Sequence, residues 1–433
     1  MSGSGTDAAL RARERGVPLI DYLRSRGYVQ DVSDEQGLAE AFAAGPVTAY
    51  VGFDPTAASL HVGHLLSIMV LGTIQRFGHR PIALAGGGTT MVGDPTGKTA
   101  TRRVLTLEEI QQNLQSVIRQ FDRYIDFNGG RFGDGTPAAL LVNNADWLLE
   151  LRYIEFLRDI GRHFSVNEML AAETYKLRLE TSGLNFVEFN YRIVQAYDFL
   201  HLYRTTGCRV QMGGSDQWGN IVAGVDLIRR VEGAQAFALV TPLITTASGQ
   251  KMGKSEGNSL WLDPTMTSPY EYYQYWVNVD DADVRKLLLL YTFLPEERID
   301  ELTSESGEAL REAKRVLAYE STRLTHGEAA AHEAQETASR LFSGARSAEE
   351  LLADESLPSI SIPRADLAEM TVADLFVRSG LCSSRGDARR MAQQGGLTMG
   401  EERLSTVDEP VPDEASAFLL RAGKKRYMRV AIA

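Results

Sequence analysis

The sequence predicts an α/β fold: a Rossmann-like parallel sheet, then an α-helical segment, then a small α+β module. Three observations predict it. Short apolar strand patterns alternate with helical periodicities through the first half of the chain, as in βαβ units. After Ser268 the pattern turns helical and aromatic, with Tyr270, Tyr272, Tyr273, Tyr275 and Trp276 followed by Val284 to Leu290. A proline-bounded stretch, Leu357 to Pro363, then precedes a change in charge. Residues 360–433 hold 11 Lys/Arg against 10 Asp/Glu, net +1, so the preceding part carries −13 of a total of −12. The expected organisation is a first domain over 1–250 with an insertion at about 127–190, a lysine loop and helical domain over 251–350, a linker over 351–365, and a last domain over 366–433.

The elements follow in order. Val17 to Ala44 reads as helices, from Leu19, Ile20, Leu23 and then Leu38, Ala41, Phe42. Val47, Ala49 and Val51 make a strand bounded by Pro46 and Gly52. The chain turns through Asp54-Pro55-Thr56, and Leu65, Ile68, Met69, Gly72 and Phe77 recur at helical spacing, so a helix opens at His61 to His64. Pro81 opens a second strand, Ile82 to Ala85, which completes a βαβ unit. A helix N-terminus offers unpaired N–H groups and its positive dipole end to an anion. Glycines at Gly52 and Gly63 let a phosphate chain approach the backbone there. The two histidines also fit an ordinary helix start. As a metal pair they lack a nearby third ligand and do not match H-E-x-x-H.

Gly86 to Lys98 is glycine-rich, which permits close approach of backbone to a ligand. Its end, Gly97-Lys98-Thr99, resembles the end of a P-loop, but the first glycine of that motif falls on Val92. Thr106-Leu-Glu-Glu109 is a capping box opening a helix to about Phe127. Ala139 to Val142 reads as a short buried strand. Leu151 to Ile160 and Ser165 to Ala172 read as helices.

The helix from Asn185 to about Tyr203 is apolar nearly all round, so it should be buried. Yet Tyr191, Gln195 and Asp198 share one face. A buried carboxylate without a partner is costly, so this is either a satisfied core group or a polar wall facing a polar ligand. Cys208 to Met212 forms the next strand, and Gly213-Gly214-Ser-Asp216-Gln217 feeds a helix from Ile221 to Val231, the position of the ligand crevice in open α/β sheets. Ala238 to Thr245 is the last core strand. It delivers Gln250-Lys251-Met-Gly-Lys254-Ser255, a loop whose lysines and hydroxyl suit a triphosphate. In the tail, Thr371 caps a helix that stops at Gly380. Ser383 starts another, with Arg385 and Arg389 on one face and Arg390 beside them. Strands around Leu397–Met399 and Phe418–Leu420 follow, with Lys424 and Lys425 in a basic hairpin.

Composition narrows the classes. A net charge of −12 over 433 residues excludes a general nucleic-acid binder, so any RNA contact must use local basic patches. Two cysteines exclude a disulfide framework or a cysteine zinc site and suit a reducing cytoplasm. No apolar run reaches transmembrane length. The first residues lack the apolar core of a signal peptide, and Asp7 and Glu14 disfavour a transit peptide, so a frayed polar lead-in is expected.

His61-Val-Gly-His64 followed by Lys251-Met-Gly-Lys-Ser255 resembles the paired signatures of class I aminoacyl-tRNA synthetases. The stretches YVGFDPTAASLHVGH, VGDPTGK, NNADW, FLRDIGRHFSVNEML, VQAYDFL, QMGGSDQWGN and PLITTASGQKMGKSEGN resemble, in order, blocks of the bacterial-type tyrosyl-tRNA synthetases, from about Leu38 to the C-terminus. The resemblance implies ATP-dependent charging of tRNA-Tyr by a cytoplasmic homodimer. It implies that Tyr50 and Asp198 bind the phenolic hydroxyl of tyrosine and that Tyr191 and Gln195 address its amino group. Asp94 would contact the amino acid, Gln217 would lie near its carboxyl group, and Gln211 would line the same pocket. Gly52, Asp54, Gly63, Gly214, Asp216 and Lys254 would bind ATP, with Asp216 on the ribose. His61, His64, Thr56, Lys98, Arg102, Lys251, Lys254 and Ser255 would stabilise the leaving pyrophosphate. Mg²⁺ would arrive with ATP rather than in a protein-ligated site. The insertion would form the dimer interface. The helical domain would meet the anticodon region. Arg385, Arg389, Arg390, Lys424 and Lys425 would bind tRNA from a small RNA-binding module.

The sequence departs from the family where Val51 replaces a ribose-contacting cysteine, in the loop GGGTTMVGDP, and at the glycine of KMGKS. A tryptophanyl synthetase, a nucleotidyltransferase of HxGH type and a synthetase-like RNA-binding or splicing protein share parts of the pattern. Tyr50 with Asp198 argues for a phenol.

Overall fold

The structure is a computed structural model that describes residues 7–96, 106–181, 183–245, 252, 254–255, 258–305, 307–342, 351–352, 357–367, 370–412, 415–423 and 426–433. Contacts divide the chain into two compact units. The first holds residues 1–254, 259–266 and 279–317, the second 255–258, 267–278 and 318–433. Of the stretch expected to be a frayed polar lead-in, residues 1–6 lie outside the described residues, but the rest is not frayed: Asp7 caps the helix Ala8–Glu14, which buries Ala8, Ala9 and Ala12, and Asp7 pairs with the buried Arg76 at 2.6 Å.

In the first unit the buried strands form one six-stranded sheet. Across it run β1 (Asp31–Val32), β6 (Phe237–Thr241), β5 (Cys208–Gly214), β2 (Thr48–Phe53), β3 (Arg80–Ala85) and β4 (Leu140–Asn143). β2 pairs in parallel with both β3 and β5, β3 with β4, and β5 with β6, while β1 runs antiparallel to β6. The strands are apolar on both faces, as parallel sheets covered by helices require. Helix Val62–Arg76 buries Leu65, Leu66, Ile68, Met69 and Leu71. Helix Phe186–Thr206 buries Ile193, Ala196, Phe199 and Leu200. The order reverses at β2, so the crevice outside the carboxyl ends of β2 and β5 is the topological switch point of the sheet.

Several boundaries differ from the sequence reading. β1 interrupts the region expected to be wholly helical. It has two residues, too few for a periodicity, and exists because β6 offers it an edge. The last core strand ends at Thr241, because Pro242 has no N–H to continue the ladder. Helix Leu107–Phe121 stops short of Phe127. There the Asp126 carboxylate takes the N–H groups of Asn128 (3.0 Å) and Arg131 (2.8 Å) and turns the chain. β7 (Lys254–Ser255) and β8 (Asn258–Ser259) pair as a two-stranded ribbon.

The second unit has a five-stranded sheet in the order β11 (Glu402–Leu404), β10 (Leu397–Met399), β12 (Ala417–Ala422), β13 (Arg426–Ile432), β9 (Ser359–Ile362). Leu375, Phe376, Ala388, Leu397, Leu420 and Val430 form its core. β9 lies inside the stretch read as a linker. Pro358 and Pro363 bracket it, and it pairs in parallel with β13 through Ser359 to Ile362. No helix among the described residues is long and apolar enough to cross a membrane.

Candidate active site

A cavity of about 620 Å³ opens at the switch point of the first unit. Its walls come from the carboxyl ends of β2, β5 and β6 and from helix Phe186–Thr206. Tyr50, Gly52, Asp54, Thr56, His61, Gly63 and His64 line it along the first strand and turn. Asp94, Tyr191, Gln195, Asp198, Gln211, Gly214, Asp216 and Gln217 line it from the other elements. Lys98, Arg102, Lys251, Lys424 and Lys425 lie outside the described residues. Lys254 and Ser255 are placed by their backbone in β7.

The polar face read on the long helix does face a cavity. Asp198 is buried, and its carboxylate is held at both oxygens. Trp147 Nε1 donates to Oδ1 at 2.7 Å and Asn144 Nδ2 donates to Oδ2 at 2.9 Å. Burial pushes its carboxyl up to about 7, against the pull of these two bonds. Tyr50 is buried beside it, and burial together with the Asp198 charge raises its phenol well above the ordinary value. The hydroxyl of Tyr50 and the side-chain oxygens of Gln195 and Gln211 are buried without a protein partner among the described residues. Buried polar atoms normally have partners. Three orphans on one cavity wall, beside a carboxyl group, describe a surface built for a polar ligand.

A second network supports the wall. Asn144 Oδ1 accepts from Gly88 N at 2.7 Å, and Asn144 Nδ2 also donates to Thr89 Oγ1 at 3.0 Å. Thr89 Oγ1 donates to Asp54 Oδ1 at 2.8 Å, and Tyr191 Oη to Asp54 Oδ2 at 3.4 Å. Gly86 is required here: a Cβ would stand 2.1 Å from Asp54 Oδ1 and 2.6 Å from Thr89 Oγ1. Asp94 accepts from Gln217 Nε2 at 2.8 Å and from Thr96 N at 2.9 Å, so it ties the glycine-rich loop to the turn that follows β5.

The histidine pair departs from expectation. Gly63 N donates to His61 Nδ1 at 3.0 Å, and His61 N to His64 Nδ1 at 3.2 Å. Val62 N donates to Leu260 O at 3.0 Å, and His64 N to His61 O at 2.8 Å. The first N–H groups of this helix are therefore used within the protein, not held open for an anion. Because each Nδ1 accepts, each neutral ring carries its proton on Nε2. What the helix start still presents to the cavity is the positive end of its dipole. His61 also bridges Trp261, whose ring meets it edge-on at 5.9 Å, tying the histidine turn to the segment that follows β8.

Sequence reading missed Thr89, Asn144, Trp147 and Trp261. Asn144 and Trp147 stood in a quoted block, NNADW, but only the fold brings them to Asp198. In the second unit Arg385 pairs with Asp374, Arg389 with Asp408 at 2.8 Å and Arg390 with Asp387 at 2.7 Å. The basic face is thus charge-compensated, though all three arginines remain exposed.

A largely parallel sheet with its cavity at the switch point, a histidine-capped helix start and a buried carboxyl wall define an α/β protein with a polar ligand crevice. The family profile for class I tRNA synthetases (W and Y) matches residues 43–343, and the chain belongs to that family. A tyrosine–tRNA ligase of Desulfosudis oleivorans is 49% identical over 441 residues, covering 96% of this chain and 99% of that protein. One from Caldanaerobacter subterraneus is 48% identical, covering 96% and 100%. Among solved structures, a C-terminally truncated mitochondrial tyrosyl-tRNA synthetase of Aspergillus nidulans superposes with a TM-score of 0.68 at 32% identity, covering 77% of this chain and 97% of that one. Within the class I family, this chain is therefore a tyrosyl-tRNA synthetase by kinship along nearly its whole length.

Proposed function

We propose that the chain charges tRNA-Tyr with tyrosine in two steps within this cavity. A carboxylate oxygen of tyrosine attacks the α-phosphorus of ATP and the bond to pyrophosphate breaks, giving tyrosyl-adenylate. A terminal ribose hydroxyl of tRNA then attacks the tyrosyl carbonyl carbon, and AMP leaves. The single observation that carries this reading is the wall where Tyr50, Gln195 and Gln211 bury unpartnered polar atoms beside the Asp198 carboxyl group, a set that suits a phenol-bearing amino acid.

Asp198 and Tyr50 take the phenolic hydroxyl. Tyr191, Gln195 and Asp94 address the amino group, Gln217 the carboxyl end, and Gln211 lines the pocket. Such a site rejects an analogue lacking the hydroxyl, because its polar groups are then left unpaired; discrimination against phenylalanine by this family is the standard instance of that rule. Gly52, Asp54, Gly63, Gly214 and Asp216 border the nucleotide. His61, His64 and Thr56, with Lys98, Arg102, Lys251, Lys254 and Ser255, stabilise the departing pyrophosphate. Catalysis is positioning and charge stabilisation, with no covalent enzyme intermediate. Mg²⁺ enters as part of the ATP substrate, bound by phosphates and water, and neutralises charge on the leaving group.

The chain acts as a homodimer in this reading. The insertion presents Tyr153, Ile154, Val166, Phe186 and Val187 at 51 to 73% exposure, an apolar surface suited to a second copy. We assign catalysis to 1–250, anticodon contact to 251–350 and further tRNA contact, through Arg385, Arg389, Arg390, Lys424 and Lys425, to 366–433. Buried free thiols at Cys208 and Cys382 suit the cytoplasm to which we assign it. The test is attachment of labelled tyrosine to tRNA. Acid-precipitable label that requires ATP and tRNA-Tyr supports the reading, and none from folded protein overturns it.

A further inference from the structure

His201 stands outside the cavity, one helical turn beyond Asp198. Its ring lies flat against the indole of Trp147, with centroids 4.3 Å apart and planes only 12° apart. Trp147 is the residue whose Nε1–H holds Asp198 Oδ1 at 2.7 Å. Tyr197 borders His201 at 6.3 Å and is itself met edge-on by Phe156 at 5.5 Å, so the imidazole is one member of an aromatic row that leads to the carboxylate. Burial and the nearby Arg204 charge lower the imidazole's affinity for a proton, so it stacks as a neutral ring.

An indole can satisfy its one donor in several orientations. A 2.7 Å bond to one carboxylate oxygen requires the ring plane to be fixed. Asn144 is fixed by Gly88 and Thr89 on its own side. On the Trp147 side, the flat contact is with His201. We infer that His201 is a positioning residue for tyrosine recognition: by stacking on Trp147 it fixes the indole N–H that orients the Asp198 carboxylate toward the phenolic hydroxyl. This rests on the reading of Asp198 as the hydroxyl-binding group.

The experiment measures equilibrium binding of tyrosine and of phenylalanine, together with KM and kcat for tyrosine in pyrophosphate exchange. The full-length variants are His201→Ala, His201→Leu, His201→Phe, Trp147→Phe and the double variant His201→Ala with Trp147→Phe. His201→Leu keeps bulk and guards against simple loss of fold. Loss of the stack should weaken tyrosine binding and raise KM roughly three- to tenfold, the scale of one aromatic pair. It should leave kcat nearly unchanged and narrow the preference for tyrosine over phenylalanine. His201→Phe should restore parental values, because a flat ring suffices. His201→Ala should add nothing once the indole N–H is gone in Trp147→Phe. Overturning results are a lower melting temperature with unchanged tyrosine preference, no rescue by His201→Phe, or additive effects in the double variant. Asp198→Asn serves as control. If it leaves the preference intact, the reading of Asp198 fails. If it abolishes the preference while His201→Ala and His201→Leu do not, the positioning role alone fails.

Discussion

Asn144 at the end of one strand and Asp198 in the middle of a long helix are joined by a 2.9 Å hydrogen bond, although 54 residues separate them. The same amide accepts from Gly88 N at 2.7 Å, so one side chain fixes both the glycine loop and the buried carboxylate. Replacing it with alanine strands a carboxylate oxygen and a loop N–H together. Asn144→Ala should weaken tyrosine binding by roughly 10- to 100-fold, from about 1.5–3 kcal/mol for bonds to a charged group. Titration calorimetry checks this, and unchanged affinity would remove Asn144 from the site.

The Asp198 carboxyl is pushed up to about 7 by burial. A carboxyl raised in the folded state makes its full contribution to stability below its ordinary value near 4, and that contribution is lost as pH rises through about 7. In the proposed binding mode tyrosine affinity runs the other way, because the phenol would donate to the ionised form. Affinity should climb toward pH 7, by up to about tenfold per unit, and then level off. Asp198→Asn should flatten both trends, which melting temperature and tyrosine affinity measured from pH 5 to 9 would reveal.

Tyr50 buries a hydroxyl with no protein partner among the described residues. Removing an orphaned polar atom while keeping the ring relieves a cost of about 1 kcal/mol or more. Tyr50→Phe should therefore raise the melting temperature of the ligand-free protein while weakening tyrosine binding. A variant that is both less stable and equally tight would contradict the assignment.

Arg389 is paired with Asp408 on an exposed face. If this face meets tRNA as proposed, an RNA phosphate must compete with that carboxylate for the guanidinium. Asp408→Asn should tighten tRNA binding by several-fold at low salt, with a steeper dependence on salt concentration. Filter binding across a salt series measures both. Weaker binding would mean that the pair itself shapes the surface.

Ile154 and Val187 are 73% and 51% exposed on the insertion. If this face joins two copies, Ile154→Asp with Val187→Asp buries charge in an apolar interface and should shift the protein to monomer. Sedimentation velocity would show it, and an unchanged species distribution would place the interface elsewhere.

Much of this site could be read before the fold was seen, for reasons tied to particular residues. The helix at His61 carries its periodicity in its own sequence. Tyr191, Gln195 and Asp198 share a face by spacing alone. The partners of Asp198 could not be read, because Trp147 and Asn144 reach it only through tertiary pairing. One of the occupied N–H groups at this helix start escaped for a related reason, because Val62 N donates to Leu260 O, far along the chain; the others are taken locally by His61 and His64. β1 is too short for a period, whereas β9 alternates Ser and Ile between two prolines that made the stretch read as a linker, and each is a strand because a neighbouring edge accepts it.

The most direct test of the central claim is tyrosine-dependent exchange of labelled pyrophosphate into ATP, with phenylalanine, tryptophan and no amino acid as controls and Asp198→Asn alongside. The account predicts exchange with tyrosine alone, lost or broadened in the variant. Folded protein that exchanges with no amino acid, or equally with phenylalanine, would contradict it.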